Sequence, residues 1–209
     1  MSTDRSLKRG WFPGCGERAL CAVYALVAWV PGRIGVYLRR AVARLGVAEV
    51  GVGLELDTGI RITGWANISL GDNFRMMRLG SLHAHNGRLR IGSNVSIGPN
   101  TCLASCDGGL IEVADSVLIA QNVVIRAADH RHDRIDLPII KQGHVGGNIL
   151  IDEGVWIGAN AVVTSNVEIG AHAIVGAGAV VTQEVASFAI VGGVPARLIR
   201  SRIRNPEEA

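Results

Sequence analysis

Apolar residues return at every sixth position from residue 91 onward. Units IGSNVS, IGPNTC and LASCDG begin at 91, 97 and 103, and VADSVL, IAQNVV and IRAADH at 113, 119 and 125. IDEGVW, IGANAV and VTSNVE begin at 151, 157 and 163, and IGAHAI, VGAGAV and VTQEVA at 169, 175 and 181. Each unit opens with Ile, Leu or Val, and most carry a small residue fifth. The beat is traceable backwards to LGDNFR at 70 and IRITGW at 60. Strands alternate with period 2 and helices with period 3.6, so a period of six fits a short strand and a turn, repeated. That predicts a mainly β chain wound as a parallel β-helix, three units to a triangular coil, each coil advancing ~4.8 Å. The opening aliphatic points inward, the small fifth residue fits a tight interior, and Gly or Asn serves the corners, where positive φ costs them little.

Two breaks in phase locate excursions. The unit at 103 is followed by one at 113, which leaves a short excess around Asp107–Leu110. The unit at 125 is followed by one at 151, so residues 131–150 must leave the coil as a projecting loop. Long loops on rigid scaffolds tend to carry binding groups. ADHRH, at 128–132, stands at the root of this one.

Residues 1–50 lie outside the repeat and read as a helical extension before a β-helix of residues 51–195. Residues 196–209 read as a C-terminal helix and tail. The apolar run ALCAVYALVAWV (19–30) is closed by Pro31-Gly32 and falls short of the ~20 residues a spanning helix needs. WVPGRIG is a poor cleavage site for a signal peptide. Two short helices fit, about 16–30 and 34–45, the second with apolar residues at 34, 37, 38, 41, 42 and 45. They form either a cap on the coils or an interfacial hairpin meeting a membrane through residues 16–45. Arg33, Arg39, Arg40 and Arg44 favour the second. Because the segment is outside the repeat, the coils are expected to stand without it.

Composition supports many short strands: 48 % hydrophobic, 4 % aromatic and 27 Gly in 209 residues. Net charge is +3, with +6 in residues 1–45, +2 in 197–209 and −5 between them. No basic stripe runs along the bulk of the chain, which argues against nucleic acid as the main partner. Cys15, Cys21, Cys102 and Cys106 include no CxxC pair and read as free thiols in a reducing compartment. The expected location is the cytoplasm, or its face of the inner membrane if the hairpin is interfacial.

These motifs resemble the hexapeptide-repeat acyltransferases, enzymes of the left-handed β-helix fold; the handedness is implied by the family. The resemblance is strongest over residues 91–203. It is carried by VWIGANAVV (155–163), VGAGAVVTQEV (175–185) and IVGGVPARLIR (190–200). DHRH (129–132) with PIIKQG (138–143) is similar to the branch that O-acetylates sugars in bacterial surface-polysaccharide synthesis, lipopolysaccharide included. The resemblance implies a homotrimer with acetyl-CoA, as co-substrate, in the cleft between neighbouring helices. It implies a loop-root histidine as general base, here His130. CoA would be met by Ala159 and Ala177 through their backbones, then by Thr182, Pro195, Ala196 and Arg200. The family often has Lys after that Thr; here it is Gln183, so Arg197 or Arg200 must supply the charge.

Acyl transfer to a hydroxyl needs a base for the attacking oxygen's proton, and imidazole works near neutral pH. His132 is the rival base, and Asp129 either orients an imidazole or serves a turn. Asn100 falls where related sugar acetyltransferases bind substrate, yet GPN is also an ordinary corner. His85, paired with His83 in SLHAHNG, reads as a surface residue, a substrate wall or a metal ligand. His144 lies in the loop and can reach a neighbour's cleft, and Trp156 could wall that cleft or pack between subunits. The acceptor expected is a sugar or nucleotide sugar. N-acetylation of a nucleotide-linked amino sugar is the alternative, and a γ-carbonic-anhydrase-like zinc enzyme or a non-catalytic scaffold is a more distant one. The zinc reading needs histidines spaced as in that family, and His130, His132 and His144 are not, so no metal is expected.

Overall fold

A computed structural model describes residues 15–203; residues 1–14 and the tail 204–209 lie outside it. The six-residue units wind as a β-helix with three faces. Face 1 and face 3 are sheets of six strands, and face 2 has eight. All opening residues from Ile91 to Val181 are buried, and so are the fifth residues Val95, Val123, Ala161, Ala173 and Ala179. The fourth residue turns the corner with positive φ: Asn94 at 58°, Asn122 at 58°, Asn160 at 60°. Asn is suited there because its short polar side chain tolerates the left-handed region. It also bonds along the stack, Asn122 Nδ2 donating to Asn160 Oδ1 at 3.1 Å.

The repeat reaches further back than its clear sequence signal. Leu70, Met76 and Leu82 open buried units, and Leu56 and Ile62 open earlier ones. IRITGW at 60 is therefore out of register by two. Ile60 is a buried fifth residue and Ile62 the opener, an ambiguity two neighbouring isoleucines create. From face 1 to face 2 to face 3 the openers stay six apart, so every extra residue leaves at one corner, between face 3 and face 1. Val162 pairs with Val180, eighteen residues on. Cys102 pairs with Val124, and Val124 with Val162.

The large excursion begins and ends earlier than expected. Ala127 makes the last coil bond, its N–H donating to the Ala104 carbonyl at 2.9 Å. Strand Ala128–His130 then pairs antiparallel with His144–Gly146, and Asn148–Ile151 resumes face 1. His130 is thus fixed by a hairpin stem and not by the coil. The reason is Asp129: it takes a fifth position, where other units bury an apolar residue or the hydrogen-bonded Thr101, and a carboxylate does not enter that interior unpaired. Asp107 takes the fifth position at the smaller excursion and is likewise exposed.

In place of the expected C-terminal helix, residues 197–201 form a strand, and 204–209 lie outside the described residues. Arg197–Ser201 runs antiparallel along Ala189–Gly192. Face 2 ends there with an unpaired row of N–H and C=O groups, and pairing them outweighs the helical propensity of RLIRS.

At the other end sit α1 (Cys15–Val27) and α2 (Gly32–Gly46), covering the first coil. Tyr24 packs edge-on against Trp65 with ring centroids 5.0 Å apart. Arg39 is fully buried, with no carboxylate partner among the described residues. Its Nε donates to the Leu56 carbonyl at 2.8 Å, and Nη1 donates to the carbonyls of Val27, Ala28 and Val30. These last lie at the end of α1, where Val27 and Ala28 also accept the Val30 and Gly59 N–H groups, so one guanidinium ties both helices to the first coil. Burial holds Arg39 below the usual guanidinium range, and neighbouring Tyr24 and Asp57 counter it. Tyr24, Ala28, Val42 and Ala43 join the buried core, so the segment is packed on the first coil as a cap. Arg39→Ala should destabilise the chain by about 3 kcal/mol, from unsatisfied carbonyls and an unfilled cavity. Denaturant unfolding followed by circular dichroism checks it.

Candidate functional site

The hairpin stem concentrates the histidines. His130 and His144 are cross-strand partners, their rings 4.1 Å apart and tilted by 41°. Asp107, one coil below, places Oδ2 3.5 Å from His144 Nδ1. His132 turns back on the stem, with Nδ1 3.0 Å from the His130 carbonyl. A carbonyl only accepts, so that bond puts the proton on Nδ1 and leaves the Nε2 lone pair of a neutral ring free. Asp129 pairs with Val145 and is exposed. Two imidazoles, a carboxylate and a third imidazole therefore share the corner between faces 3 and 1. Asp107 was not singled out from sequence; its signal was a charged residue in a position that otherwise holds a small one.

His85 lies on the same corner, where its carbonyl accepts from the Asp107 N–H at 3.3 Å. It does not act with His83. The His83 Nδ1 is 2.9 Å from Thr63 Oγ1, and burial, then Arg61, lowers its pKa. A polar recess of about 580 Å³ opens beside the hairpin root, lined by Asn67, Asn86, Arg88 and Asn148 among others. Spacing could not single these out, because they come from separate coils and none lies in a repeat signature.

The remaining candidates lie elsewhere on the chain. Asn100, φ 58°, turns the corner between faces 2 and 3, and Ala159 and Ala177 occupy that edge in higher coils. One chain therefore does not bring Asn100 or these alanines to the histidines. Thr182, Ala196 and Arg197 line a second recess, about 230 Å³, at the C-terminal end. Pro195 is exposed in the turn before it, and Arg200 sits opposite Ile190, apart from its lining. Trp156 projects from face 2, 47 % exposed and paired with equally exposed Leu118. Cys21, Cys102 and Cys106 are half-buried free thiols. Among the described residues no group of three or more His, Cys, Asp or Glu could hold a metal ion.

Residues 148–183 match the bacterial transferase hexapeptide pattern of six repeats. A probable acetyltransferase of Mycobacterium tuberculosis is 31 % identical over 157 residues, 75 % of this chain and 51 % of its own length. Galactoside O-acetyltransferase of Escherichia coli is 34 % identical over 114 residues, 52 % of this chain and 55 % of its own. The chain thus spans about half the length of these relatives. Among solved structures, AntD, an N-acyltransferase from Bacillus cereus in complex with dTDP and 3-hydroxybutyryl-CoA, superposes with a TM-score of 0.70. It is 26 % identical, over 81 % of this chain and 91 % of its own. A hexapeptide-repeat acetyltransferase of Vibrio cholerae, complexed with acetyl-CoA, gives a TM-score of 0.59 at 25 % identity, over 91 % of each chain.

The stem packs closely at its root. A Cβ on Gly146 would lie 2.4 Å from the Gly109 nitrogen and 2.6 Å from the Asp107 carbonyl oxygen, both backbone. Gly146→Ala should push the hairpin off the coil and lower amide protection in 128–130 and 144–146 on the order of tenfold. Hydrogen exchange on the purified protein measures this without any assay of activity.

Proposed function

We propose that this chain, whose residues 148–183 match the bacterial transferase hexapeptide pattern and whose coil superposes on AntD, is a left-handed β-helix enzyme, an acetyl-CoA-dependent O-acetyltransferase acting on a sugar hydroxyl. Bacterial surface-polysaccharide assembly is the setting and the cytoplasm the location. The observation that carries the reading is the histidine pair on a hairpin projecting from the one variable corner. His130 takes the hydroxyl proton, and the freed oxygen attacks the thioester carbonyl. Collapse of the tetrahedral intermediate expels the CoA thiolate, which recovers the proton from the imidazolium. His144, backed by Asp107, packs against the base and limits its motion. In the coil at 157–161, Gly158 and Asn160 already donate to the carbonyls of Val175 and Gln121. The Ala159 N–H is then the candidate oxyanion donor.

Two edges of the coil hold the histidines and the corner alanines apart, so the reading includes a homotrimer that apposes one chain's hairpin to its neighbour's alanines. Exposed Leu118, Trp156 and Val124, outward on faces 2 and 3, suit that burial. The C-terminal recess takes part of CoA against Thr182 and Ala196, with Arg197 meeting phosphate. Arg197 replaces Arg200 as first choice because it lines the recess. A second reading, N-acylation of a nucleotide-linked amino sugar, is favoured by the likeness to AntD; an attacking amine would use the same base.

His130→Ala should lower acetyl transfer by about 10²–10⁴, with acetyl-CoA affinity nearly unchanged. His132→Ala should act mainly on acceptor KM. The reverse pattern in steady-state kinetics hands the base role to His132, whose Nδ1 is already engaged. Loss in neither removes acyl transfer from this corner. Arg197→Ala should weaken acetyl-CoA binding on the order of tenfold by calorimetry, and Arg200→Ala should weaken it less.

A further inference from the structure

The helical cap buries one side and leaves the other apolar. α1 turns Tyr24 and Ala28 into the core, while its outward positions Ala19, Ala22, Val23, Ala25 and Leu26 are exposed and carry no polar group. A helix apolar on both sides is ordinarily covered on both. The surface continues across the turn and along α2. Leu26 is 79 % exposed, Trp29 67 %, Ile34 71 % and Leu45 80 %, with Tyr37 and Leu38 between them. A row of this kind exceeds the scattered apolar residues of an ordinary surface.

Charge identifies the cover. Between Glu17 and Glu49 there is no acidic residue, and there are five arginines. Arg39 is spent inside. Arg18, Arg33 and Arg44 are exposed, and Arg40 stacks on the Tyr37 ring at 5.6 Å. Apolar side chains fringed by arginines, with Trp29 and Tyr37 among them, match a bilayer surface bearing anionic headgroups. A second copy of the chain fits less well, because a two-fold contact would set these arginines against their own images. The helices have 13 and 15 residues, and among the described residues none is long and apolar enough to cross a membrane.

We propose that the outward face of α1 and α2 docks the protein on an anionic phospholipid bilayer, lying in the headgroup region. This docking is independent of the transfer chemistry. If that chemistry also holds, the acceptor is a saccharide presented at the same membrane.

Co-sedimentation of the full chain with vesicles tests it, comparing phosphatidylcholine alone with phosphatidylcholine containing phosphatidylglycerol. The expected result is binding to the anionic vesicles, weakened by raised salt. Arg33→Ala/Arg44→Ala and Leu26→Ser/Leu45→Ser should each reduce it by about tenfold or more. All four side chains are exposed, and circular dichroism confirms that the variants fold. Protein that stays in the supernatant with both vesicle types overturns the proposal, as does equal binding to both that ignores the arginine pair. Light scattering that shows self-association abolished by the leucine pair assigns the face to a second copy and overturns it equally. Acetyl-transfer assays with soluble acceptor, run on the same variants, report separately on the chemistry.

Discussion

The narrow interior of the triangular coil governs this molecule. From residue 91 onward each face contributes one aliphatic opener, and each buried fifth position holds only Val, Ala or Thr. Thr101 shows how strict the space is. It is fully buried, and it is tolerated because its hydroxyl donates to the Ala120 carbonyl at 2.8 Å and accepts from the Val123 N–H at 3.2 Å. A carboxylate has no such local solution. Where the sequence places Asp107 or Asp129 in the same slot, the backbone leaves the coil, and the candidate site is built from what leaves.

That constraint also explains why chemistry gathers at one edge. Two corners keep six-residue spacing in every coil, with left-handed residues at fixed places and side-chain bonds such as Asn73 Nδ2 to Asn94 Oδ1, 3.0 Å. An insertion there would shift all later openers off their faces. The third corner already varies in length, so added residues disturb nothing above or below. The hairpin, Asp107, His85 and the asparagine-lined recess all occupy it.

Much of this was legible in the sequence. The openers from 91 to 181 read directly, because Ile, Leu and Val alternate there with small corners. Coils before residue 91 were harder. Phe74 and Met76 are bulkier than the pattern, and Ile60 competes with Ile62 for the same role. The hairpin's existence was legible from the phase jump, but its ends were not, since counting openers sees Ile151 and misses buried Ile149. The strand at 197–201 depends on a vacant sheet edge supplied by residues 189–192, which no local pattern of RLIRS encodes. Arg39 read as one of several surface arginines, because its acceptors are backbone carbonyls and those leave no mark on a sequence.

A parallel coil is its own template, and a stack of identical rungs has no intrinsic stopping point. At one end α1 and α2 lie over the first rung. At the other, Arg197–Ser201 runs opposite to every other strand of face 2, so the next rung offered to an incoming chain has the wrong polarity. The fold thereby uses the geometry of a fibril while refusing its growth. Its length is set by two terminators of different kinds, one steric and one directional, and removing either would turn a finite prism into a seed.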